Sequence, residues 1–212
     1  MPQQDRAYAT REAILHAAAE EFDRLGYERT SLTAVLARAG LTKGAFYFHF
    51  ASKEAVADAL VERQSELWAK VRATWDTRGV DPLSALHGMF AESADRMATD
   101  VVLRAGVRLA ADREVGYPGV PTTHIMWEKL IAGYVVEAAE RGDLRAGVDP
   151  DAVARTLCGA ALGARLISSV TTACADFPSR IREVLGHVLP CVASSGWKLS
   201  GSQNAVDGPA EP

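Results

Sequence analysis

A cation, a glycine and a phenol lie within one short segment around position 45, and they carry the clearest chemical signal in the chain. Lys43 and Tyr47 are one helical turn apart, so an ammonium and a hydroxyl would project from the same side of a helix. Both groups commonly bind phosphate oxygens of DNA. Gly44 costs about 1 kcal/mol of helix propensity relative to alanine, which makes sense where a backbone must approach a partner closely. These three residues therefore predict contact with DNA.

The neighbouring residues predict the elements that would position this group. Gly40 allows a left-handed backbone at the end of one short helix. Thr42 then stands where a side-chain oxygen would cap a second helix, predicted over residues 43–50. Ser52 and Lys53 predict a cap and a cation at the start of a third helix. Two short helices joined by a turn that contains glycine form a helix-turn-helix, whose second helix enters the major groove.

The alternative is a small core helix whose phenylalanines only fill space. We assign Phe46 and Phe50 to the core and keep the polar group for DNA. Arg6, ahead of the first predicted helix, is a candidate phosphate or minor-groove contact, or else part of a disordered tail. The candidate DNA-binding residues are Arg6, Thr30, Thr42, Lys43, Gly44, Ala45, Tyr47, His49 and Lys53.

The same stretch resembles the DNA-binding domain of the TetR family of bacterial repressors. The resemblance is carried by AGLTKG at 39–44, by the Phe46-Tyr47-x-x-Phe50 pattern and by SKE at 52–54, and it spans about residues 5–60. Within that family, TKGA at 42–45 followed by YFHF at 47–50 is similar to the γ-butyrolactone receptors of streptomycetes. VLRAGVRL at 102–109 and Trp127 extend this second resemblance.

The resemblance implies a homodimer that binds a palindromic operator in double-stranded DNA and is released by a small apolar effector such as a γ-butyrolactone. It also implies control of secondary metabolism, including antibiotic biosynthesis. Trp127 matches a tryptophan that packs on the lactone in those receptors, although the residue type alone is more typical of a core. The candidate ligand-binding residues are Gln64, Leu86, Phe90, Trp127 and Leu130. A repressor sensing an antibiotic or multidrug ligand, or one without ligand response, remains an alternative.

Overall charge does not by itself favour a nucleic-acid partner. The 212 residues carry a net charge of −4 with a pI near 5.8, and residues 1–50 contain six basic and six acidic side chains. The run from Arg29 to Lys53, however, holds four cations and no acid. A locally positive surface on an acidic protein is therefore expected around the predicted helix-turn-helix.

Other classes of function find little support in the sequence. No P-loop, GxSxG or HExxH pattern occurs, so an enzyme is not favoured, and neither a cofactor nor a metal is expected. A purely structural helical adaptor would leave the polar group at 43–47 unexplained. No stretch of 18 apolar residues occurs, and the N-terminus lacks the apolar core of a signal peptide, so we expect a cytoplasmic protein without a membrane span.

Helical periodicity without strand alternation predicts an all-α fold of about nine helices. A first helix is expected over residues 7–25, and a long helix over 52–76 would join two parts of the chain. Two wide apolar faces, on helices at 149–172 and 179–192, predict a four-helix dimer interface, with packing inside one subunit as the alternative. The predicted domains are a helix-turn-helix domain at 1–52, a ligand-binding and dimerisation domain at 53–194, and a disordered tail at 195–212.

Overall fold

The computed structural model describes residues 2–116 and 123–200, and these residues form nine α-helices and no strand. The all-α prediction is confirmed. In chain order the helices are α1 (Pro2–Leu25), α2 (Leu32–Ala39), α3 (Lys43–His49), α4 (Lys53–Asp76), α5 (Pro82–Thr99), α6 (Val101–Gly116), α7 (Thr123–Glu140), α8 (Pro150–Thr172) and α9 (Phe177–Val192). The glycines and prolines at 116–121 predict a loop, most of which lies outside the described residues.

The helices group into two compact units. The first comprises Met1–Lys70 and Asp95–Thr123, and the second comprises Val71–Ala94 and His124–Pro212. This grouping adds α6 and most of α4 to the helices of the predicted helix-turn-helix domain. The reason is chemical, since Arg104 of α6 donates to the Asp23 carboxylate of α1 at 2.9 Å and Arg108 donates to the Asp23 carbonyl. Both arginines therefore bind another helix.

The core of the first unit follows from the amphipathic pattern of α1. Ile14, Leu15 and Phe22 are fully buried, and they belong to one apolar cluster with Phe46 of α3 and Leu60 of α4. Burying such side chains stabilises the fold by about 1.5–3 kcal/mol each.

Close packing of α4 and α6 in this unit depends on a glycine. A Cβ at Gly106 would stand 2.6 Å from the Leu60 carbonyl oxygen and 2.7 Å from the Gln64 Cβ. Only glycine lets the two helices approach this closely without displacing backbone.

The two helices that end the second unit use their apolar faces differently. Buried side chains of α9 recur every four residues, at Phe177, Ile181, Leu185 and Leu189, so this stripe packs inside the subunit. In contrast, α8 exposes four large apolar side chains, at Leu162, Leu166, Ile167 and Val170. By length and hydropathy α8 alone among the described helices could cross a membrane.

The structure differs from the sequence-based expectation at both ends of the chain. Arg6 lies within α1 rather than ahead of it, because the helix already begins at Pro2. Residues 195–200, predicted to be disordered, pack back on the start of α5: the Trp197 indole donates to the Asp81 carboxylate at 2.7 Å and Ser200 donates to it at 2.9 Å. The tail prediction for 201–212 lies outside the described residues.

Candidate nucleic-acid interface and effector site

Local backbone chemistry builds the turn between α2 and α3 as the sequence predicts. Ser31 caps α2 by accepting a hydrogen bond from the Ala34 N–H at 3.1 Å. Gly40 ends α2 in the left-handed conformation, with φ of 65°. Thr42 then accepts from the Ala45 N–H at 3.3 Å and so starts α3. These caps satisfy backbone groups that would otherwise lack partners, which fixes where α3 begins.

The aromatic residues of α3 divide between its two faces. Phe46 is fully buried and Phe50 nearly so, and their rings pack 6.0 Å apart. Tyr47 is 55% exposed and Phe48 is 80% exposed. Helical spacing explains this division, because residues 46 and 50 are one turn apart whereas residue 48 lies on the opposite side.

Phe48 is the surface residue that sequence reasoning did not select. It belongs to the outward face of α3 beside Tyr47, and the ring of His49 meets it edge-on with centroids 5.0 Å apart. The signal was available in the sequence, since a residue two positions from each of two core phenylalanines must face away from the core.

Gly44 has open space around it. A Cβ built at this position would meet only the Thr42 hydroxyl oxygen, at 3.9 Å. Packing within the described residues therefore does not require glycine here. The missing side chain instead leaves the first turn of α3 open to a partner from outside.

The remaining α3 candidates differ in exposure. Lys43 is exposed and makes no ion pair within the described residues, whereas Ala45 and His49 are half-buried. Ala45 also contributes its backbone N–H to the Thr42 cap. The cationic and aromatic groups that α3 presents outward are thus Lys43, Tyr47 and Phe48, together with the open backbone at Gly44.

Two of the predicted DNA-binding residues, Thr30 and Lys53, make hydrogen bonds within the protein. The hydroxyl of Thr30 is buried and donates to the carbonyls of Gly26 at 2.8 Å and Glu21 at 3.1 Å. The Lys53 ammonium donates to the carbonyls of Tyr27 and Thr30, both at 2.9 Å, and lies over the Tyr27 ring. Both residues therefore have a structural role, because these backbone carbonyls accept from their polar groups. A DNA contact by either residue stays a prediction.

Part of the predicted positive charge is also neutralised. Arg38 pairs with Glu21 at 2.6 Å and with Glu20 at 3.0 Å, and Arg24 pairs with Glu21 at 2.8 Å. Burial opposes ionisation of Glu21, but hydrogen bonds from the two arginines outweigh it, so the pKa of Glu21 lies below its ordinary value. Arg38 therefore ties α2 to α1 and adds little free positive charge.

The structure brings together some of the candidate ligand-binding residues. Phe90 of α5 and Trp127 of α7 form a ring pair with centroids 6.3 Å apart. Leu86, one turn before Phe90, is fully buried, and Leu130, near Trp127 on α7, is half-buried. Gln64 lies in the first unit, where its Cβ faces Gly106.

The same two helices, α5 and α7, hold the last turn of α4. The Trp75 indole donates to the Glu92 carboxylate of α5 at 2.9 Å, and its ring packs against Gly88, where no side chain would fit. The Tyr134 hydroxyl of α7 donates to the Asp76 carboxylate. Burial and the nearby Asp76 carboxylate raise the pKa of Tyr134, so the hydroxyl keeps its proton.

Comparison with known families agrees with this arrangement of elements. Residues 14–60 match the model of bacterial regulatory proteins of the tetR family. Residues 83–191 match the model of the tetracyclin repressor-like C-terminal domain. The chain belongs to the TetR family. As a TetR-family protein it is a DNA-binding transcriptional regulator and not an enzyme.

Individual relatives of this TetR-family chain are also informative. It is 34% identical over 196 residues to the A-factor receptor protein of Streptomyces griseus, covering 92% of this chain and 68% of that one. A γ-butyrolactone receptor described as ArpA-like is 35% identical, with a TM-score of 0.75 and coverage of 90% and 91%. CprB from Streptomyces coelicolor, solved with its biological operator sequence, is 35% identical, with a TM-score of 0.77 and the same coverage.

Proposed function

We propose that this chain is a dimeric repressor that binds a palindromic operator through α3 and is released by a small apolar lactone. The observation that carries the proposal is the division of α3. The rings of Phe46 and of the C-cap residue Phe50 are buried, while Lys43, Tyr47 and Phe48 face outward around an open Gly44. A helix that fills only a core has no need for this outward set. Secondary metabolism is the proposed target of control, on the basis of the resemblance to streptomycete receptors.

The outward groups of α3 suit the two kinds of contact that DNA offers. Lys43 and the Tyr47 hydroxyl bind phosphate oxygens and fix the register. Gly44 lets the backbone approach the duplex, and Phe48 supplies an apolar surface for thymine methyl groups or sugars. CprB, a relative that was solved with its operator, supports DNA binding by a chain of this fold.

The effector class rests on the second unit. The Phe90–Trp127 pair provides aromatic surface of the kind that lines small-molecule sites, and the indole N–H of a tryptophan can orient a bound polar group. The relatives named as an A-factor receptor and a γ-butyrolactone receptor favour a lactone over an antibiotic.

The last turn of α4 is the proposed route from effector to DNA. Its residues Trp75 and Asp76 are hydrogen-bonded to α5 and α7, the two helices that carry Phe90 and Trp127. An effector that alters the packing of these aromatic rings therefore changes how α4 is held, and α4 continues as one helix to Lys53. By linkage, bound operator must weaken effector binding by the same factor.

The exposed apolar face of α8 is the proposed dimer surface. Leu162, Leu166, Ile167 and Val170 leave water only when a second helix covers them, and a second copy related by a two-fold axis supplies the same face. A dimer also presents two α3 helices to the two halves of a palindrome, about 34–36 Å apart. The α9 stripe adds little, because it is already buried within the subunit.

A gel-shift assay on the DNA upstream of the chain's own gene tests the proposal. We expect retardation at low salt, a complex of dimer size, and loss of retardation when an organic extract of the producing culture is added. Retardation that neither extract nor synthetic γ-butyrolactones abolish would support the ligand-unresponsive alternative. Release by antibiotics but not by lactones would support the antibiotic-sensing one.

A further inference from the structure

Opposite sides of α5 face different surroundings. Gly88 and Glu92 face the Trp75 indole of α4. With about 100° of rotation per residue, Leu86, Phe90 and Ser93 fall within one narrow arc on the other side of the helix. This arc includes Phe90, whose ring meets Trp127. A polar side chain on it would stand beside the proposed effector.

Ser93 is that polar side chain, and its hydroxyl has no partner. The residue is only 8% exposed, and its Oγ is buried without a hydrogen bond to any described residue. The two other buried serines behave in the ordinary way: Ser84 donates to Asp81 at 2.6 Å, and Ser168 donates to Asp176. Buried hydroxyls almost always find a partner, so an unpaired one needs a reason.

We infer that the Ser93 hydroxyl donates a hydrogen bond to the carbonyl oxygen of the lactone that lies against Phe90 and Trp127. The inference rests on the proposed function, and it identifies a group of α5 that orients the effector. A ring carbonyl can only accept, so the hydroxyl must donate. A single donor on an otherwise apolar face is the usual way in which a small-molecule pocket fixes orientation.

The chemistry of this arc also limits the effector. Among residues 83–94 its members are two apolar side chains and one neutral hydroxyl, Leu86, Phe90 and Ser93. A carboxylate or an amine placed there would lose its hydration without gaining an opposite charge, which is costly. A neutral ester or lactone carbonyl needs only the one hydrogen bond. This face of α5 therefore favours an uncharged carbonyl compound.

Two probes that differ only in the carbonyl test the inference. α-Hexyl-γ-butyrolactone carries it, and 3-hexyltetrahydrofuran is the same ring and chain without it. Release of fluorescently labelled operator is measured with wild type, Ser93→Ala and the control Ser179→Ala, whose exposed hydroxyl donates to a backbone carbonyl at the start of α9. We expect wild type to respond to the lactone at about three- to tenfold lower concentration than to the ether, the ratio that one neutral hydrogen bond gives. Ser93→Ala should lose that preference, with its response to the ether unchanged.

Thermal unfolding without probe separates this role from a structural one. Removing an unpaired buried hydroxyl should leave the melting temperature unchanged or raise it, whereas a lowered value would indicate that the hydroxyl stabilises the fold and would overturn the inference. Equal lactone preference in Ser93→Ala and wild type would overturn it too, while leaving the proposed function in place. If operator binds but no lactone releases wild type, the effector class itself is wrong and the inference falls with it.

Discussion

Gly44 and Gly88 both lie inside helices, yet their surroundings are opposite. At Gly88 a Cβ would come within 2.0 Å of the Trp75 ring, while at Gly44 it would meet only one oxygen, 3.9 Å away. The fold therefore requires glycine at position 88, because the Trp75 ring occupies the space that a side chain would need. Packing gives no such reason for glycine at position 44. A residue that lowers helix stability without serving the interior indicates a partner outside the chain.

Gly88→Ala should have the largest effect. The added methyl group overlaps Trp75, which is held by Glu92 and by the stacked Arg78 guanidinium 3.9 Å above its ring. We expect a loss of about 3 kcal/mol and a melting temperature lowered by about 5–10 °C, measured by calorimetry. In a Trp75→Leu background the same change should cost much less, because the smaller side chain leaves room. Equal costs in both backgrounds would contradict the packing explanation.

Val170→Glu tests the exposed apolar face of α8, which, like the outward face of α3 around Gly44, is not explained by packing within the subunit. Val170 is 80% exposed, so the change should barely affect folding, but a charge in the proposed interface of α8 should prevent dimerisation. We expect monomers in sedimentation experiments and at least about a hundredfold weaker operator binding, because the second half-site contact is lost. Val136→Glu, at an exposed valine of α7, makes the same chemical change and should leave both properties unchanged.

Gly44→Ala should separate binding from stability. The alanine fits and improves helix propensity by about 1 kcal/mol, so the melting temperature should stay constant or rise. Operator affinity measured by anisotropy should nevertheless fall about tenfold, because the methyl group keeps the backbone away from DNA. Gly133→Ala is the matched control: this α7 glycine also has nothing near its Cβ position, and its replacement should not alter operator binding. Undiminished affinity in Gly44→Ala would remove the close-approach argument.

Lys43→Ala should have a smaller and different effect. Loss of one phosphate contact should weaken binding several-fold for all DNA sequences and reduce the slope of log K against log salt by about 0.9. Lys129→Ala, at an exposed lysine of α7, controls for the change in net charge. An unchanged salt slope in Lys43→Ala would exclude a phosphate contact.

The smallest expected effect is on the pH dependence of stability, and it comes from Asp81. Burial opposes its ionisation, but hydrogen bonds from Ser84, Trp197 and Ser200 outweigh burial and lower the pKa of Asp81. A lowered folded-state pKa means that this stabilisation is present above the ordinary carboxyl pKa and is lost as pH falls through the folded value. Wild type should therefore lose more thermal stability than Asp81→Asn as the pH is lowered from about 5 through the range in which carboxyl groups protonate. Parallel melting curves across that range would contradict this role.

Local sequence patterns were sufficient for the elements themselves. The Thr42 cap, the left-handed Gly40 and the one-turn spacing of Phe46 and Phe50 act within a few residues, so the sequence alone predicts where α3 lies. The long α4 and the Asp149 cap of α8 follow from periodicity and capping in the same way. The candidate residues of the DNA surface that these short-range rules select remain predictions, with Phe48 now added to them.

Contacts between distant parts of the chain were decided only by the tertiary structure. Thr30 and Lys53 have the residue types of DNA contacts, but the carbonyls that occupy them belong to Glu21, Gly26 and Tyr27. Trp197 becomes ordered because Asp81, more than a hundred positions earlier, accepts its indole N–H. The unpaired state of Ser93 likewise depends on which helices surround it. Sequence determines short-range capping and periodicity, whereas the partner of a buried polar group depends on packing between elements that are far apart in the chain.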